Sequence, residues 1–291
     1  MSAQAAQLAR IEIGDVVVTY LPDGQVGLDH RRAFPQSYHN LDGDSVGELF
    51  DEHGGLLLSI GGLLVETTRY KALIDLGAGP VRPDLRLRVG ESRGRLLDSL
   101  ATAGSSPDEI THVVLTHLHR DHVGWTCAET ELGPRPAFPD ATFHIARAEW
   151  EFWTDPDRRT HPDGPRPEHY TTFAASLHLF EPGEVLLPYL ATFPTPGHTP
   201  GHTSLIISRL QGRLIAIGDA VHSPVELTRP DMRFAFDVDQ TLAEQSRIAL
   251  RRELAEDGTR FAGAHFPNHM FGRMARTDDG ITTNFGEVAH F

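Results

Sequence analysis

The stretch Thr116-His117-Leu118-His119-Arg120-Asp121-His122 constrains this 291-residue chain more than any other. Four side chains able to bind metal fall within six residues, directly after the apolar run Val113-Val114-Leu115. Buried polar groups need partners and charged ones rarely go inside unpaired, so three imidazoles and a carboxylate this close together are seldom needed for packing. A metal ion accounts for them. If Val113 to Leu115 is a strand, the residues after it form a strand-end loop, where binding groups sit on a rigid scaffold. His117 and His119 can then converge on one ion while Asp121 and His122 face a second position.

Charge and composition narrow the partners. With 40 acidic against 26 basic residues the net charge is -14, which opposes attraction to nucleic acid or to an anionic membrane. A hydrophobic content of 40% and 23% charged residues describe an ordinary globular chain, and we expect one domain over residues 1–291. Cys127 is the only cysteine, so no intrachain disulfide can form, and it reads as a small buried hydrophobe. Met1 to Arg10 lacks the basic and apolar regions of a secretory signal, and no run approaches the ~18 apolar residues of a membrane span. The expectation is a cytoplasmic protein with a small-molecule substrate, no nucleic acid and no membrane, with a homodimer left open.

Hydrophobic patterning suggests strands arranged in two halves. Ile11 to Tyr20 reads as a strand ending in a turn at Leu21-Pro22-Asp23-Gly24. Leu56 to Ile60, Leu63 to Thr67 and Lys71 to Asp75 read as three strands, the first two separated by Gly61-Gly62. The glycine-rich run after Asp75 is a tight turn bordering the site. Arg93 to Ala103 has helical spacing, and His112 at the start of the next strand is structural. Ala141 to Ile145 is a strand, Ala148 to Trp153 a short amphipathic helix, and the proline-rich run from Thr154 to His169 an exposed insertion with His161, His169 and His178 facing solvent. In the second half, strands at Thr203 to Ser208, Leu214 to Ile217 and Arg260 to Ala262 accompany a helix over Thr241 to Glu256, with Leu242, Ile248, Ala249 and Leu254 on its inner face. Two packed sheets with outer helices satisfy the need to bury both sets of apolar faces.

The ordered set His117-x-His119-x-Asp121-His122, His198 in TPGHTPGH, Asp219 in GDA and His265 after the last strand resembles the metallo-β-lactamase superfamily in its dinuclear hydrolase branch. That resemblance implies an α/β fold, a four-layer αβ/βα sandwich with metals in a cleft between the sheets. It implies that His117, His119 and His198 bind one metal, that Asp121, His122 and His265 bind the other, and that Asp219 bridges them. Aspartate at the bridging step fits lactonases and phosphotriesterases of this fold better than its classical β-lactamases. Only 26 residues follow His265, too few for the added domains of glyoxalase II enzymes or flavo-diiron proteins. The opening GDVVVTYLPDG and the GDAVH step look most like the methyl parathion hydrolase-like group, near the N-acyl-homoserine lactonases. Many lactonases carry a tyrosine three residues after the bridging aspartate, and here that place is His222.

Five histidines and two aspartates without a thiolate make zinc the first choice for two divalent transition-metal ions, with manganese, cobalt or iron as alternatives. The expected function is hydrolysis of small ester-like substrates by a metal-bridging hydroxide, with lactones, acyl-homoserine lactones among them, tried first. Phosphotriesters and thioesters come next, and an iron-dependent persulfide dioxygenase-like reaction is the rival chemistry. Asp121 is the expected proton acceptor, and His222 a proton donor or a residue that orients a ligand. His202, at the start of the next strand, is expected to hydrogen-bond a ligand rather than bind metal.

Overall fold

The computed structural model describes residues 2–41, 44–81, 91–128, 130, 131, 133–174, 176–277, 280–285, 289 and 290. Among these, an eight-stranded sheet runs in the order Ala289–His290, Ala9–Ile13, Val16–Leu28, Leu56–Glu66, Lys71–Ile74, His112–Val114, Thr142–Ala146, Leu177–Phe180. A seven-stranded sheet runs Val185–Leu187, Leu190–Pro194, Thr203–Arg209, Gly212–Ala216, Thr259–Ala262, Phe271–Thr277, Gly280–Asn284. Val18, Ile74 and Val114 of the first sheet and Leu205, Leu214 and Ala216 of the second belong to one buried cluster, which is the core between the sheets. On the outer face of the first sheet lie Leu96 and Leu100 of one helix and Trp153 of another. Leu250 and Leu254 of the helix Gln240–Leu254 cover the second. The expected αβ/βα sandwich is therefore present.

Parallel pairing decides where function can sit. Lys71–Ile74, His112–Val114 and Thr142–Ala146 run side by side in one direction, and Gly212–Ala216 is parallel to Thr259–Ala262. In sheets of this kind ligands bind outside the carboxyl ends of the strands. Asp75, Thr116, Asp219 and His265 all lie just past those ends.

Several sequence expectations change. The first hairpin turns at Gly14, where φ is 64°, and the strand Val16–Leu28 then runs straight through Pro22 and Asp23. A register shift between Pro22 and Gly24 replaces the expected turn, because the sheet can absorb an extra residue as a bulge. Gly61-Gly62 does not separate strands: Leu56–Glu66 is continuous. A Cβ on Gly61 would stand 2.4 Å from the Leu21 carbonyl oxygen, so close approach of backbone, not a turn, explains the glycine. The inner face of Gln240–Leu254 is Ala243, Ser246, Arg247, Leu250 and Leu254, while Ile248 is exposed. A buried arginine on that face displaced the pattern read from apolar residues alone. His169 is buried in the helix Pro167–Phe173, not solvent-facing. No helix of the described residues is long and apolar enough to cross a membrane.

Candidate metal centre

All seven residues expected at the metals meet at the carboxyl ends of the strands. His117 Nε2 lies 3.0 Å from His119 Nδ1, and that atom lies 2.9 Å from His198 Nε2. Asp219 Oδ2 stands 3.7 Å from His117 Nε2 and 3.4 Å from His198 Nε2, completing one four-residue group. On the other side of Asp219, His122 Nε2 is 3.2 Å from Oδ1 and His265 Nε2 is 3.1 Å from Oδ2. Those two nitrogens are 3.3 Å apart, with Asp121 Oδ2 3.7 Å from His265 Nε2. Asp219 thus touches both groups.

Hydrogen bonds at the outer ring nitrogens set the orientation of these imidazoles. His198 Nδ1 faces Asp237 Oδ1 at 3.0 Å and His122 Nδ1 faces Asp75 Oδ2 at 2.8 Å. His265 Nδ1 faces the Ser59 carbonyl oxygen at 2.8 Å. Each acceptor fixes the proton on Nδ1 of a neutral ring, leaving a lone pair on Nε2. The same assignment follows for His117, because Thr116 Oγ1 donates to Asp75 Oδ2 at 2.8 Å and must accept from His117 Nδ1 at 3.1 Å. With all four rings neutral, four Nε2 lone pairs and a carboxylate would be aimed at one another. A cation removes that repulsion, and ligand nitrogens bound tetrahedrally at about 2.0–2.1 Å would stand about 3.3 Å apart. The observed spacings bracket this value, so the residues fit two ions.

The electrostatics agree with that fit. Burial holds His117, His119 and His198 well below the usual imidazole range, which keeps them neutral. Burial alone would raise Asp219, but His122, His265 and His117 around it hold its carboxyl well below the carboxylate range. His122 is opposed by burial yet raised well above its ordinary value by Asp219 and Asp75. The site attracts positive charge.

A set of buried partners that the sequence reading did not single out orients these rings. Asp75 holds His122 while accepting from the Thr116 backbone N–H at 2.8 Å, in a left-handed conformation with φ 58°. Asp237 holds His198 and pairs with the buried Arg247 at 3.2 Å. Glu149, fully buried, accepts from Leu118 N, Trp153 Nε1, Thr199 Oγ1 and Gly201 N, so one carboxylate ties the heptad to the His198 turn. His202 stays outside the metal groups: its Nε2 accepts from the Asp219 N–H at 2.9 Å, and burial pushes it down to about 3. Gly218, with φ 55°, has no room for a side chain, since a Cβ would meet His202 Nε2 at 2.6 Å.

His222 is buried, stacked on Phe234 with ring centres 3.6 Å apart, and its Nε2 lies 3.5 Å from Asp219 Oδ2. Burial opposes its charged form, but Asp219 and Glu226 together raise it to about 10. Asp121 is the more open of the aspartates. Above this floor is a cleft of about 270 Å³ whose lining includes Val26, Leu28, Leu58, Phe234 and Phe236 as well as the two aspartates and His222. Cys127 is buried, as expected, and lines a separate small cavity.

Comparison with known proteins agrees with the fold. The metallo-beta-lactamase superfamily model matches residues 63–265, and the chain belongs to that superfamily. A dizinc quorum-quenching lactonase, AidC, in complex with a product superposes with a TM-score of 0.80 at 23% identity, covering 99% of this chain and 100% of that one. The hydrolase AbOPH of the beta-lactamase superfamily gives 0.78 at 25% identity over 99% of both chains. An N-acyl homoserine lactonase from Bacillus sp is 23% identical over 79% of this chain and 85% of its own length. Two curated relatives match in part: the chain spans 46% of the uncharacterized protein YobT of Bacillus subtilis (strain 168), at 36% identity, and 41% of the N-acyl homoserine lactonase AttM of Rhizobium radiobacter, at 27%.

Proposed function

We propose that this chain is a dinuclear metal-dependent hydrolase of small ester-like substrates, with lactones as the preferred class, and that residues 1–291 act as one domain. The observation that carries the reading is the set of imidazole nitrogens converging on Asp219 at the floor of an apolar-walled cleft. His117, His119, His198 and Asp219 would hold one ion, and Asp121, His122, His265 and Asp219 the other, with zinc favoured by the nitrogen-rich set. Two bound divalent ions supply Lewis acidity and a water made nucleophilic near neutral pH.

The protein side chains then do the rest. Leu28, Leu58 and Phe234 exclude water from the substrate's apolar part, which strengthens every charge interaction in the cleft. Asp121, reachable from the cleft, accepts the proton released by the attacking water. His222, held by its stack on Phe234 with Nε2 3.5 Å from Asp219 Oδ2, donates a proton to the oxygen that acquires charge. Its position three residues after Asp219 makes imidazole, not phenol, the donor here.

A panel of lactones, thioesters, aryl esters and phosphotriesters presented to metal-loaded protein tests the reading. Lactones are expected to give the highest kcat/KM, and His222→Phe to lower kcat by about 10²-fold, the lower end of general-acid contributions. Oxygen consumption without hydrolysis of any ester would instead support the dioxygenase-like chemistry.

A further inference from the structure

Arg120 lies inside the metal-binding heptad yet has no part in holding the centre. Its backbone N–H donates to the Asp163 carbonyl oxygen and its Nε to the Gly164 carbonyl oxygen, both at 3.1 Å. Gly164 is itself packed against Trp153, where a Cβ would stand 2.5 Å from the indole ring, and Trp153 donates to the buried Glu149. One edge of the guanidinium is therefore fixed to a rigid part of the fold. Its remaining nitrogens, Nη1 and Nη2, make no hydrogen bond or ion pair among the described residues.

The surroundings make this unusual. Arg120 is the only arginine or lysine in the described lining of the cleft, beside Asp121, Asp163 and Asp219. The two other arginines nearby, lining a small adjoining cavity with it, are paired: Arg93 with Glu91 at 3.1 Å and Arg166 with Glu168 at 4.0 Å. In a chain with 40 acidic and 26 basic residues, a pinned guanidinium on a residue lining the cleft, unpaired among the described residues, is a recognition element without its counterpart. Its planar fork matches a carboxylate in two-point geometry, and the fixed Nε limits the rotamer entropy lost on binding.

We propose that Arg120 is a subsite for a single anionic group, a carboxylate, carried by the substrate away from the bond that is cleaved. The proposal deepens the hydrolase reading and rests on it for the word substrate, but the subsite itself can be tested without turnover. It reconciles an acidic protein with an acidic ligand: the overall charge disfavours polyanions, while one fixed cation at the cleft accepts one negative charge. The substrate class becomes monoanionic lactones or esters whose apolar part meets Phe234 and Phe236.

The test is calorimetric binding of straight-chain dicarboxylates of about three to eight carbons and of their mono-methyl esters to zinc-loaded protein. One carboxylate can occupy the centre in both members of a pair, so their ratio reports the second. Wild type is expected to bind the best dicarboxylate roughly tenfold or more tighter than its half-ester, as a charge-assisted pair requires. Arg120→Gln is expected to bring that ratio close to one, and Arg120→Lys to keep part of it. An equal ratio in wild type and Arg120→Gln overturns the subsite. If Arg120→Gln fails to load zinc, Arg120→Lys decides: a retained preference supports the proposal and a lost one overturns it. A dicarboxylate preference in a protein that hydrolyses no ester removes the hydrolase reading and leaves the subsite standing. Ester hydrolysis with no dicarboxylate preference does the reverse.

Discussion

Glu149 is where a single atom change should be felt furthest. Its carboxylate is fully buried and accepts four hydrogen bonds, at 2.9 Å from Leu118 N, 2.7 Å from Trp153 Nε1, 2.6 Å from Thr199 Oγ1 and 3.1 Å from Gly201 N. Burial pushes its pKa up, and the four donors are what offset that cost. In Glu149→Gln one oxygen still serves Leu118 and Trp153, and the Thr199 hydroxyl can rotate to accept. The Gly201 N–H then faces an amide N–H, leaving one buried donor unpaired at a cost of about 1 kcal/mol. Glu149→Ala orphans all four donors, so a loss of about 4 kcal/mol or more is expected at ~1 kcal/mol each, before any cavity is counted. Urea unfolding of the chelator-treated proteins measures both values without contribution from metal binding. Equal midpoints for wild type and both variants would refute the view that this carboxylate fastens the two halves of the centre.

Asp237→Asn should weaken binding of one metal by about 10–100-fold in a chelator competition, since it loosens the acceptor that fixes the His198 ring; unchanged affinity would count against the tautomer assignment. His144, on the first sheet away from the centre, is pushed down to about 4 by burial and by the nearby His112 and His178. A depressed imidazole stabilises the fold above the unfolded value near 6.5, and that stability is lost as pH falls toward 4. Wild type should therefore lose about 2 kcal/mol more than His144→Gln between pH 7 and pH 5 in urea unfolding, whereas parallel losses would contradict the assignment. Gly218→Ala should impair metal loading, because its Cβ would collide with His202 Nε2, 2.6 Å away; normal loading would show that the turn can move.

The seven residues that the structure brings together at the candidate centre were legible in sequence because metal-ligand types are rare at strand ends. His117, His119, Asp121 and His122 share one loop, and His198, Asp219 and His265 each follow an apolar run. The groups that orient them were not legible. Asp75, Glu149 and Asp237 are three among 40 acidic residues, and only tertiary burial separates them from solvated ones. Arg247 shows the same limit from the other side, since apolar periodicity cannot anticipate a charged residue turned inward to meet Asp237 at 3.2 Å. Gly61-Gly62 looked like a chain break because sequence alone does not distinguish a turn from a close approach. The hairpin Phe271–Thr277 and Gly280–Asn284 carries little periodicity and joined the second sheet unannounced.

Metal content bears most directly on the central claim that seven side chains form one dinuclear site. Elemental analysis of the purified, metal-loaded chain should give about two divalent transition-metal ions per molecule. His265→Ala should retain about one, and chelation should lower the thermal midpoint of the wild type. A chain that holds no metal and whose midpoint is indifferent to chelator would contradict the account, as would a full pair of ions in His265→Ala.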